Sequence, residues 1–197
     1  MHQAKLDLLT QPAHSTAPLN FDTWALKKYL ASIENHFPRH FFQETEHRSS
    51  KFPADLRPPM ERKENFATRI AALALPTAPN NKKRHETLQR FMLVNDSVTV
   101  AVEIRVFLTN GDIDYYRQRG FDLGFENNNI ITGHIDFLQI RNGRIHLLDY
   151  KPEARKETHA HVQLTIYALA LARRTGLQLK LFKCDGLTRR TISNSFH

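Results

Sequence analysis

The chain has 197 residues, which is enough for one domain of ordinary size or for a core domain with a helical extension. Its composition, 41% hydrophobic and 24% charged, is typical of a folded globular protein and excludes a largely disordered one. The 28 Lys and Arg residues outnumber the 20 Asp and Glu residues, and the resulting net charge of +8 favours a polyanionic partner such as nucleic acid.

The sequence also argues against a membrane protein, a secreted protein and a cysteine-based cluster. No apolar run is long enough to span a bilayer. The segment from Met1 to Asn20 lacks the apolar stretch of a secretory signal, so we expect a cytoplasmic (intracellular) protein with no membrane partner. The single cysteine, Cys184, excludes an intramolecular disulfide framework, a thiolate zinc site and an iron–sulfur cluster.

The part of the chain before residue 81 is predicted to be a helical N-terminal extension. Its elements, in order, are a helix over Phe21–Asn35, an aromatic and His-rich basic stretch at 36–42, a proline-containing loop over Phe52–Met60 and a short helix over Glu61–Leu75. Prolines and asparagines at 76–81 then mark a boundary. We therefore divide the chain into residues 1–80, a candidate DNA-contacting extension, and residues 81–197, the core domain.

The core is predicted to combine helices with a mixed sheet. Its elements, in order, are a helix over Lys82–Leu93, a strand over Ser97–Leu108, a turn at Asn110-Gly111-Asp112, strands over Ile130–Ile140 and Arg144–Tyr150, a helix over Thr158–Arg174 that ends at Gly176, and a strand over Leu177–Lys183. The first strand alternates strictly, which predicts one buried face. The fold class is therefore α/β of the α+β type, with an antiparallel three-strand part flanked by helices.

The dipeptide Asn142-Gly143, set between two apolar runs, is the most specific structural signal in the chain. Asn-Gly predicts a tight hairpin, because both residues tolerate the positive φ angles of a two-residue turn. With this turn Arg141 faces Arg144, and the same register places Asp136 opposite Asp149. The two carboxylates would then share one face of the hairpin, with Cβ atoms about 4.5–5.5 Å apart.

A lysine joins the two acids on this face. Lys151 lies two residues after Asp149, and the same register places His134 opposite it. Two opposed carboxylates among apolar neighbours repel each other and are poorly solvated, and a hard divalent cation relieves both problems. A nearby lysine can hold a phosphate oxygen or a water molecule. The alternative is that each acid is solvated at a sheet edge and Lys151 forms an ordinary surface ion pair.

Three segments carry a resemblance to a known family. They are Gly133-His-Ile-Asp136, Leu148-Asp149-Tyr-Lys151 and Gln163-Leu-Thr-Ile-Tyr167. In this order and spacing they resemble the PD-(D/E)XK nuclease superfamily and, within it, the RecB-type branch. The resemblance covers about Lys82 to Lys183 and implies a restriction-endonuclease-like core.

The resemblance implies a divalent-metal site at the hairpin. Asp136 and Asp149 would bind Mg²⁺ or Mn²⁺ with the backbone carbonyl of Tyr150. Lys151 would position or activate the attacking water and stabilise charge on the phosphate.

The resemblance also implies roles for residues on neighbouring elements. Gln163 and Tyr167 lie four residues apart on one helix face and would contact the DNA backbone or brace the site. His85 is a candidate metal ligand from the preceding helix, with Glu86 as the other candidate there, and Glu103 matches an acid on the first strand. For His85 and Glu103 the alternative is a solvated surface residue.

The chain also departs from its relatives. Pro152 follows Lys151 at a position that is usually small and hydroxylated. The cysteines that bind an iron–sulfur cluster in several relatives are absent, and no Walker-type glycine-rich loop is present. These features are typical of a stand-alone nuclease or of the nuclease subunit of a larger repair or defence complex.

We therefore expect an Mg²⁺- or Mn²⁺-dependent deoxyribonuclease that acts on single- or double-stranded DNA. Both exonuclease and endonuclease activity are compatible with the sequence, in DNA repair, recombination or defence. Two alternatives stay open. One is a nucleic-acid-binding module that keeps the fold without turnover, and the other is a nuclease directed at RNA.

Overall fold

The computed structural model describes residues 3–9, 21–43, 48–49, 66–80, 83–124, 130–151 and 160–188. Within these ranges the α-helices are α1 (Trp24–Asn35), α2 (Phe66–Ala74), α3 (Arg84–Asn95), α4 (Asn110–Arg117) and α5 (Ala160–Thr175). The strands are β1 (Gln3–Ala4), β2 (Thr99–Leu108), β3 (Ile131–Arg141), β4 (Arg144–Lys151) and β5 (Phe182–Thr188). The proline-containing segment predicted as a loop, 52–60, lies outside the described residues.

The five strands form one mixed sheet in the order β1-β2-β3-β4-β5. The first three pairings are antiparallel, and β5 joins β4 in parallel after the chain crosses through α5. The predicted α/β class, with an antiparallel part and flanking helices, is confirmed. None of the described helices combines the length and apolarity needed to cross a membrane.

Helices cover both faces of this sheet. Neighbouring residues of a strand point to opposite faces, and Leu147 and Leu148 of β4 belong to two different core clusters. The larger cluster contains residues of α1, β2, β3 and α5. The smaller cluster contains residues of α2 and α3 packed on Phe137 and Leu148. The acidic residues of the hairpin therefore lie within a sheet that is shielded from water on both sides.

Residues from before position 80 contribute to the larger cluster. Leu26, Leu30 and Ile33 of α1 are buried in it. The Tyr29 hydroxyl, on the same helix, donates a hydrogen bond to the backbone oxygen of Arg105 at 2.8 Å. The division of the chain at residue 80 stays a prediction about domain organisation.

The prediction of a single buried face on β2 is wrong for its first half. All residues from Thr99 to Val102 are buried, because helices cover both sides of the sheet there. The alternating valines also divide between the faces: Val100 belongs to the larger cluster and Val102 to the smaller one. A register irregularity between Thr99 and Ala101 shifts the phase of the alternation.

The predicted turn at Asn110-Gly111-Asp112 is wrong, because these residues form the first turn of α4. Thr109 and Asp112 form a capping box: Asp112 Oδ2 accepts hydrogen bonds from the backbone nitrogen and the hydroxyl of Thr109 at 2.9 and 2.8 Å. Asn and Gly serve both in turns and at helix starts, so the dipeptide alone did not distinguish the two. The threonine three residues before an acid was the signal for a helix start.

The last strand also differs from the prediction. β5 covers Phe182–Thr188 rather than Leu177–Lys183, and a 3₁₀ turn at Leu179–Leu181 precedes it. The apolar alternation of the earlier segment reflects residues that pack partly on the larger cluster without joining the sheet. The predicted end of α5 is confirmed, since Gly176 has a φ of +71° directly after the helix.

Asp112 gives a test of how α4 is fixed to α5. It is buried, caps its own helix and forms ion pairs with Arg173 and Arg174. We expect Asp112→Ala to lower the free energy of unfolding by about 2–3 kcal/mol, because the change removes a helix cap and leaves two arginines without their carboxylate. Chemical denaturation would measure it.

Asp114 on the same helix is the matched control. Its more exposed carboxylate pairs with Arg117 at 2.8 Å, so Asp114→Ala is expected to cost less than about 1 kcal/mol. Equal effects of the two substitutions would contradict the role given to Asp112.

Candidate active site

The β3–β4 hairpin has the predicted turn and register. Asn142 and Gly143 have φ angles of +51° and +67°, which are the positive values that the two-residue turn requires. Paired positions run from Arg141 with Arg144 to Phe137 with Leu148. This ladder ends one residue short of Asp136 and Asp149, so the structure does not form the predicted direct cross-strand pair.

A side chain takes the place of a backbone partner where the ladder ends. Asp136 Oδ2 accepts a hydrogen bond from the backbone nitrogen of Tyr150 at 2.8 Å. The predicted placement of His134 opposite Lys151 also lies beyond the β3–β4 ladder, which ends at Phe137 and Leu148. On the opposite side of β3, His134 pairs with Arg105 of β2.

The two carboxyl groups nevertheless interact, and both are buried. Asp136 and Asp149 are 8% and 5% exposed. The pKa of Asp136 lies well above its ordinary value, because burial removes the ionised form from water and because the charge of Asp149 repels it. The hydrogen bond from Tyr150 and the charge of Lys151 oppose this rise. The site is therefore an acidic pair that is costly to ionise in the absence of a cation.

Lys151 lies beside this pair. Its Nζ is 3.3 Å from Asp149 Oδ2, and its side chain is partly exposed, so the ammonium group contacts both a buried acid and solvent. Asp149 Oδ2 is itself buried and accepts no hydrogen bond from the described residues. This oxygen therefore has capacity for a ligand in addition to the lysine.

His85 reaches the acidic pair from α3. Its Nδ1 is 3.6 Å from Asp136 Oδ1, and its Nε2 is 3.0 Å from the backbone oxygen of Tyr150. Burial lowers the pKa of His85, while the Tyr150 carbonyl and the charge of Asp149 act in the opposite direction. Glu86, the other candidate on this helix, is exposed. Of the two, His85 is the residue that contacts the acidic pair.

Glu103 occupies an unusual position on β2. The β2–β3 register places it opposite Asp136, and its φ of +54° is in the left-handed region. A residue other than glycine pays of order 1–3 kcal/mol for such a conformation, and these conformations cluster at functional sites. The charge of Glu103 raises the pKa of His85, so the two side chains share one electrostatic environment.

Gln163 and Tyr167 of α5 are both buried. Gln163 Oε1 accepts no hydrogen bond from the described residues. The Tyr167 ring packs against Gly133, where an added Cβ would lie 2.0 Å from Cε1 of the tyrosine. Burial raises the pKa of Tyr167 to about 12. The glycine and the tyrosine of the recognised pattern are therefore in direct contact.

Sequence reasoning missed Ser49. It is buried, and its hydroxyl donates to the Tyr167 hydroxyl at 3.2 Å across 118 positions of the chain. The adjoining Arg48 forms an isolated parallel bridge with Thr132 of β3. No spacing or composition signal identifies either residue. Pro152, which departs from the family pattern, lies outside the described residues.

The chemistry of these groups fits a hard divalent cation. Asp149 Oδ2 is buried and accepts no hydrogen bond from the described residues, and ionisation of Asp136 beside it is disfavoured unless positive charge compensates it. In the described ranges no three His, Cys, Asp or Glu side chains form a ready set of metal ligands. The sequence pattern implies a ligand set of two carboxylates and one backbone carbonyl. This set does not need a third His, Cys, Asp or Glu side chain.

The contact between Gly133 and Tyr167 can be tested by crowding it. We expect Gly133→Ala to lower the free energy of unfolding by about 3 kcal/mol, because the new methyl group overlaps the tyrosine ring. In a protein that already carries Tyr167→Leu, the same glycine substitution should cost less stability, because the two positions are in contact and their effects are coupled. Urea denaturation of wild type, the two single variants and the double variant would measure both effects.

Gly186 of β5 provides the control, because an added Cβ there meets nothing within 4 Å. Gly186→Ala is expected to change the free energy of unfolding by less than about 1 kcal/mol. Additive effects in the Gly133→Ala, Tyr167→Leu cycle would contradict the proposed contact.

The raised pKa of Asp136 predicts a pH-dependent stability. Above the pKa of the unfolded chain the folded protein binds more protons at this group, so metal-free stability falls as pH rises toward the folded-state pKa. Asp136→Asn removes the buried charge and keeps an oxygen to accept the Tyr150 N–H. We expect this variant to melt above wild type in EDTA at pH 7, with a smaller difference at pH 4. Thermal melts at the two pH values would show it.

Excess Mg²⁺ should reverse this order, because the variant has lost a proposed ligand and gains less from binding. Asp114→Asn, at a more exposed site, is expected to show no such reversal. A variant that melts below wild type in EDTA at pH 7 would mean that the carboxylate stabilises the metal-free fold.

Comparison with known families gives an independent result. The model of the PD-(D/E)XK nuclease superfamily matches residues 13–186. This match extends well before residue 82, where the recognised pattern was predicted to begin. A comparison with curated proteins finds no match. The mixed sheet with flanking helices is consistent with the restriction-endonuclease-like fold of this superfamily. The match covers most of the chain, and the protein therefore belongs to the PD-(D/E)XK nuclease superfamily.

Proposed function

We propose that this protein is a nuclease that hydrolyses DNA phosphodiester bonds with the help of Mg²⁺ or Mn²⁺. The observation that carries the proposal is the buried pair of Asp136 and Asp149, with the Lys151 ammonium group 3.3 Å from the second acid. A buried acidic pair beside a partly exposed lysine has little value as a stabilising element. It is a suitable arrangement for holding a cation next to a phosphate.

The proposed metal ligands are the carboxylates of Asp136 and Asp149 and the backbone carbonyl of Tyr150. These are hard oxygen donors, which Mg²⁺ and Mn²⁺ prefer. The bound ion would supply Lewis-acid polarisation of the phosphate and a lowered pKa for water. His85 is proposed as a further ligand, since it lies 3.6 Å from Asp136 Oδ1 and 3.0 Å from the Tyr150 oxygen. A nitrogen ligand favours Mn²⁺ over Mg²⁺.

Lys151 is proposed to position the attacking water and to stabilise charge on the phosphate. Its ion pair with Asp149 holds the amine near the carboxylates, and its partial exposure leaves room for substrate. A cation fixed close to the reacting phosphate stabilises the negative charge that develops there. Lysine is well suited to this role, because its ammonium group has three donors on a flexible stem.

Gln163 and Tyr167 are proposed to brace the site. Tyr167 is buried between Gly133 and Ser49, so it fixes β3 against α5 just before Asp136. Gln163, one turn earlier on the same helix, has a buried oxygen that no described residue satisfies. Glu103 is proposed to tune His85, since its charge acts on that ring. Glu86 is exposed and is given no role in the mechanism.

The proposed branch of the superfamily, type of cleavage and biological role are based on the sequence pattern. The patterns around Gly133, Asp149 and Gln163 support placement in the RecB-type branch, with exonuclease or endonuclease activity in DNA repair, recombination or defence inside the cell. The net charge of +8 supports a nucleic-acid substrate. Incubation with linear plasmid, circular plasmid and RNA in Mg²⁺, Mn²⁺ or EDTA tests the proposal. Cleavage of DNA that EDTA abolishes supports it, and binding without cleavage in any metal overturns it.

Lys151→Ala separates chemistry from binding. We expect the cleavage rate to fall by about two to four orders of magnitude, because an electrostatic group at the reacting phosphate is lost. DNA affinity in EDTA should stay within a few-fold of wild type, since one phosphate contact is a small part of a basic surface. Single-turnover cleavage in Mg²⁺ and fluorescence anisotropy in EDTA would measure the two quantities.

Lys183→Ala is the matched control, because this lysine is exposed on the neighbouring strand β5. It is expected to cleave DNA at close to the wild-type rate. A loss of affinity in Lys151→Ala as large as its loss of rate would assign the lysine to binding rather than to chemistry.

A further inference from the structure

A cationic group lies on β2 and β3 beside the acidic pair. Arg105 and His134 are direct cross-strand partners, so their Cβ atoms are about 4.5–5.5 Å apart. Arg48 reaches the same strand through its bridge with Thr132, two residues before His134. Side chains two residues apart on a strand share a face. Three cationic or protonatable side chains from distant parts of the chain therefore converge.

Electrostatic interactions agree with this placement, since the charges of Arg105, Arg48 and Glu103 all act on His134. Glu103 also acts on His85, so the cationic group and this metal-binding candidate are both within range of its charge. Cations brought this close repel one another, and a bound anion would relieve that repulsion.

The backbone at each of these positions is held in place. Ser49, next to Arg48, is buried and bonded to the Tyr167 hydroxyl. The Tyr29 hydroxyl donates to the Arg105 oxygen at 2.8 Å. The Phe42 ring lies edge-on to the His134 ring, with centroids 5.2 Å apart, while His134 keeps an exposed surface. Positions fixed before binding lose less entropy when a ligand arrives.

The group is also close to the reacting centre. His134 precedes Asp136 by two residues on β3, which is about 6.6 Å along a strand. Guanidinium groups recognise phosphate through paired N–H donors, and an adjacent aromatic ring suits a nucleotide chain. A nucleic-acid strand is an anion long enough to occupy a nuclease centre and a neighbouring anion site at the same time.

We propose that Arg48, Arg105 and His134 form a phosphate-binding subsite that holds the nucleic-acid backbone next to the acidic pair. The proposal rests on the proposed nuclease function, because it concerns the same substrate. The shared ligand chemistry is a phosphodiester strand, which DNA and RNA both supply.

The test measures binding without cleavage. Labelled single-stranded 20-mers of DNA and of RNA are titrated with protein in EDTA by fluorescence anisotropy, over a series of salt concentrations. For the strand that wild type binds, the Arg48→Gln, Arg105→Gln variant should raise Kd about ten-fold at low salt. The slope of log K against log salt should fall by about 1.4, since each phosphate contact contributes about 0.7 for a single strand.

The matched control is Arg144→Gln, Lys180→Gln, which removes two exposed cations at the hairpin turn and in the 3₁₀ turn before β5. Its Kd should stay within about two-fold of wild type. Should the double variant fail to fold, as judged by its melting curve, the exposed Arg48→Gln alone should lower the slope by about 0.7. A test variant that matches the control in Kd and in slope overturns the subsite.

The two proposals fail in different ways. Metal-dependent cleavage by wild type, together with test and control variants that bind alike, overturns the subsite and leaves the nuclease intact. Tight binding that depends on Arg48 and Arg105, without cleavage in any metal, supports the subsite and overturns the nuclease. Absence of binding to either strand by wild type in EDTA also overturns the subsite.

Discussion

The hydrogen bond from the backbone nitrogen of Tyr150 to Asp136 Oδ2 is the contact on which the site depends. Along most of the hairpin, backbone groups of β3 and β4 satisfy one another. Where the ladder stops, the buried N–H of Tyr150 requires another acceptor, because leaving it unpaired costs about as much as a lost hydrogen bond. The Asp136 carboxylate fills that need. The ladder can therefore end at this point without an unsatisfied donor, and the charge of Asp149 acts directly on Asp136.

That arrangement makes the acidic pair costly to ionise in the absence of a cation. Asp136 is held where burial and Asp149 both disfavour its ionised form. Lys151 and His85 approach from β4 and α3, but each contacts the pair only at its margin, at 3.3 and 3.6 Å. An acidic pair whose charge is only partly neutralised keeps its affinity for a divalent ion, whereas a pair fully neutralised by protein groups would lose that affinity. The burial that destabilises the ionised pair is therefore also the basis of the proposed metal binding.

The second constraint is the packing of α5 on β3. Gly133 has no side chain, and the Tyr167 ring occupies the space where one would lie. The tyrosine hydroxyl then meets Ser49, which fixes the segment that carries Arg48 next to β3. A single close approach thus links the metal-binding candidates to the cationic group proposed to hold the nucleic-acid backbone. The three sequence patterns that resemble the family, around Gly133, Asp149 and Gln163, come together at this packing contact and at the end of the hairpin ladder.

The sequence by itself determined those structural features that depend on residues close together in the chain. The Asn142-Gly143 turn and the register up to Phe137 follow from local backbone preferences, and the motif identified the superfamily. Only the tertiary structure decided that the β3–β4 ladder ends before Asp136 and that Glu103 adopts a left-handed conformation. It also decided that His85 rather than Glu86 contacts the acids, and that Ser49 is hydrogen-bonded to Tyr167. The same holds for β5, whose start is set by pairing with β4 rather than by its own alternation. These features depend on contacts between residues far apart in the chain, and such contacts leave no periodic or local signal in the sequence.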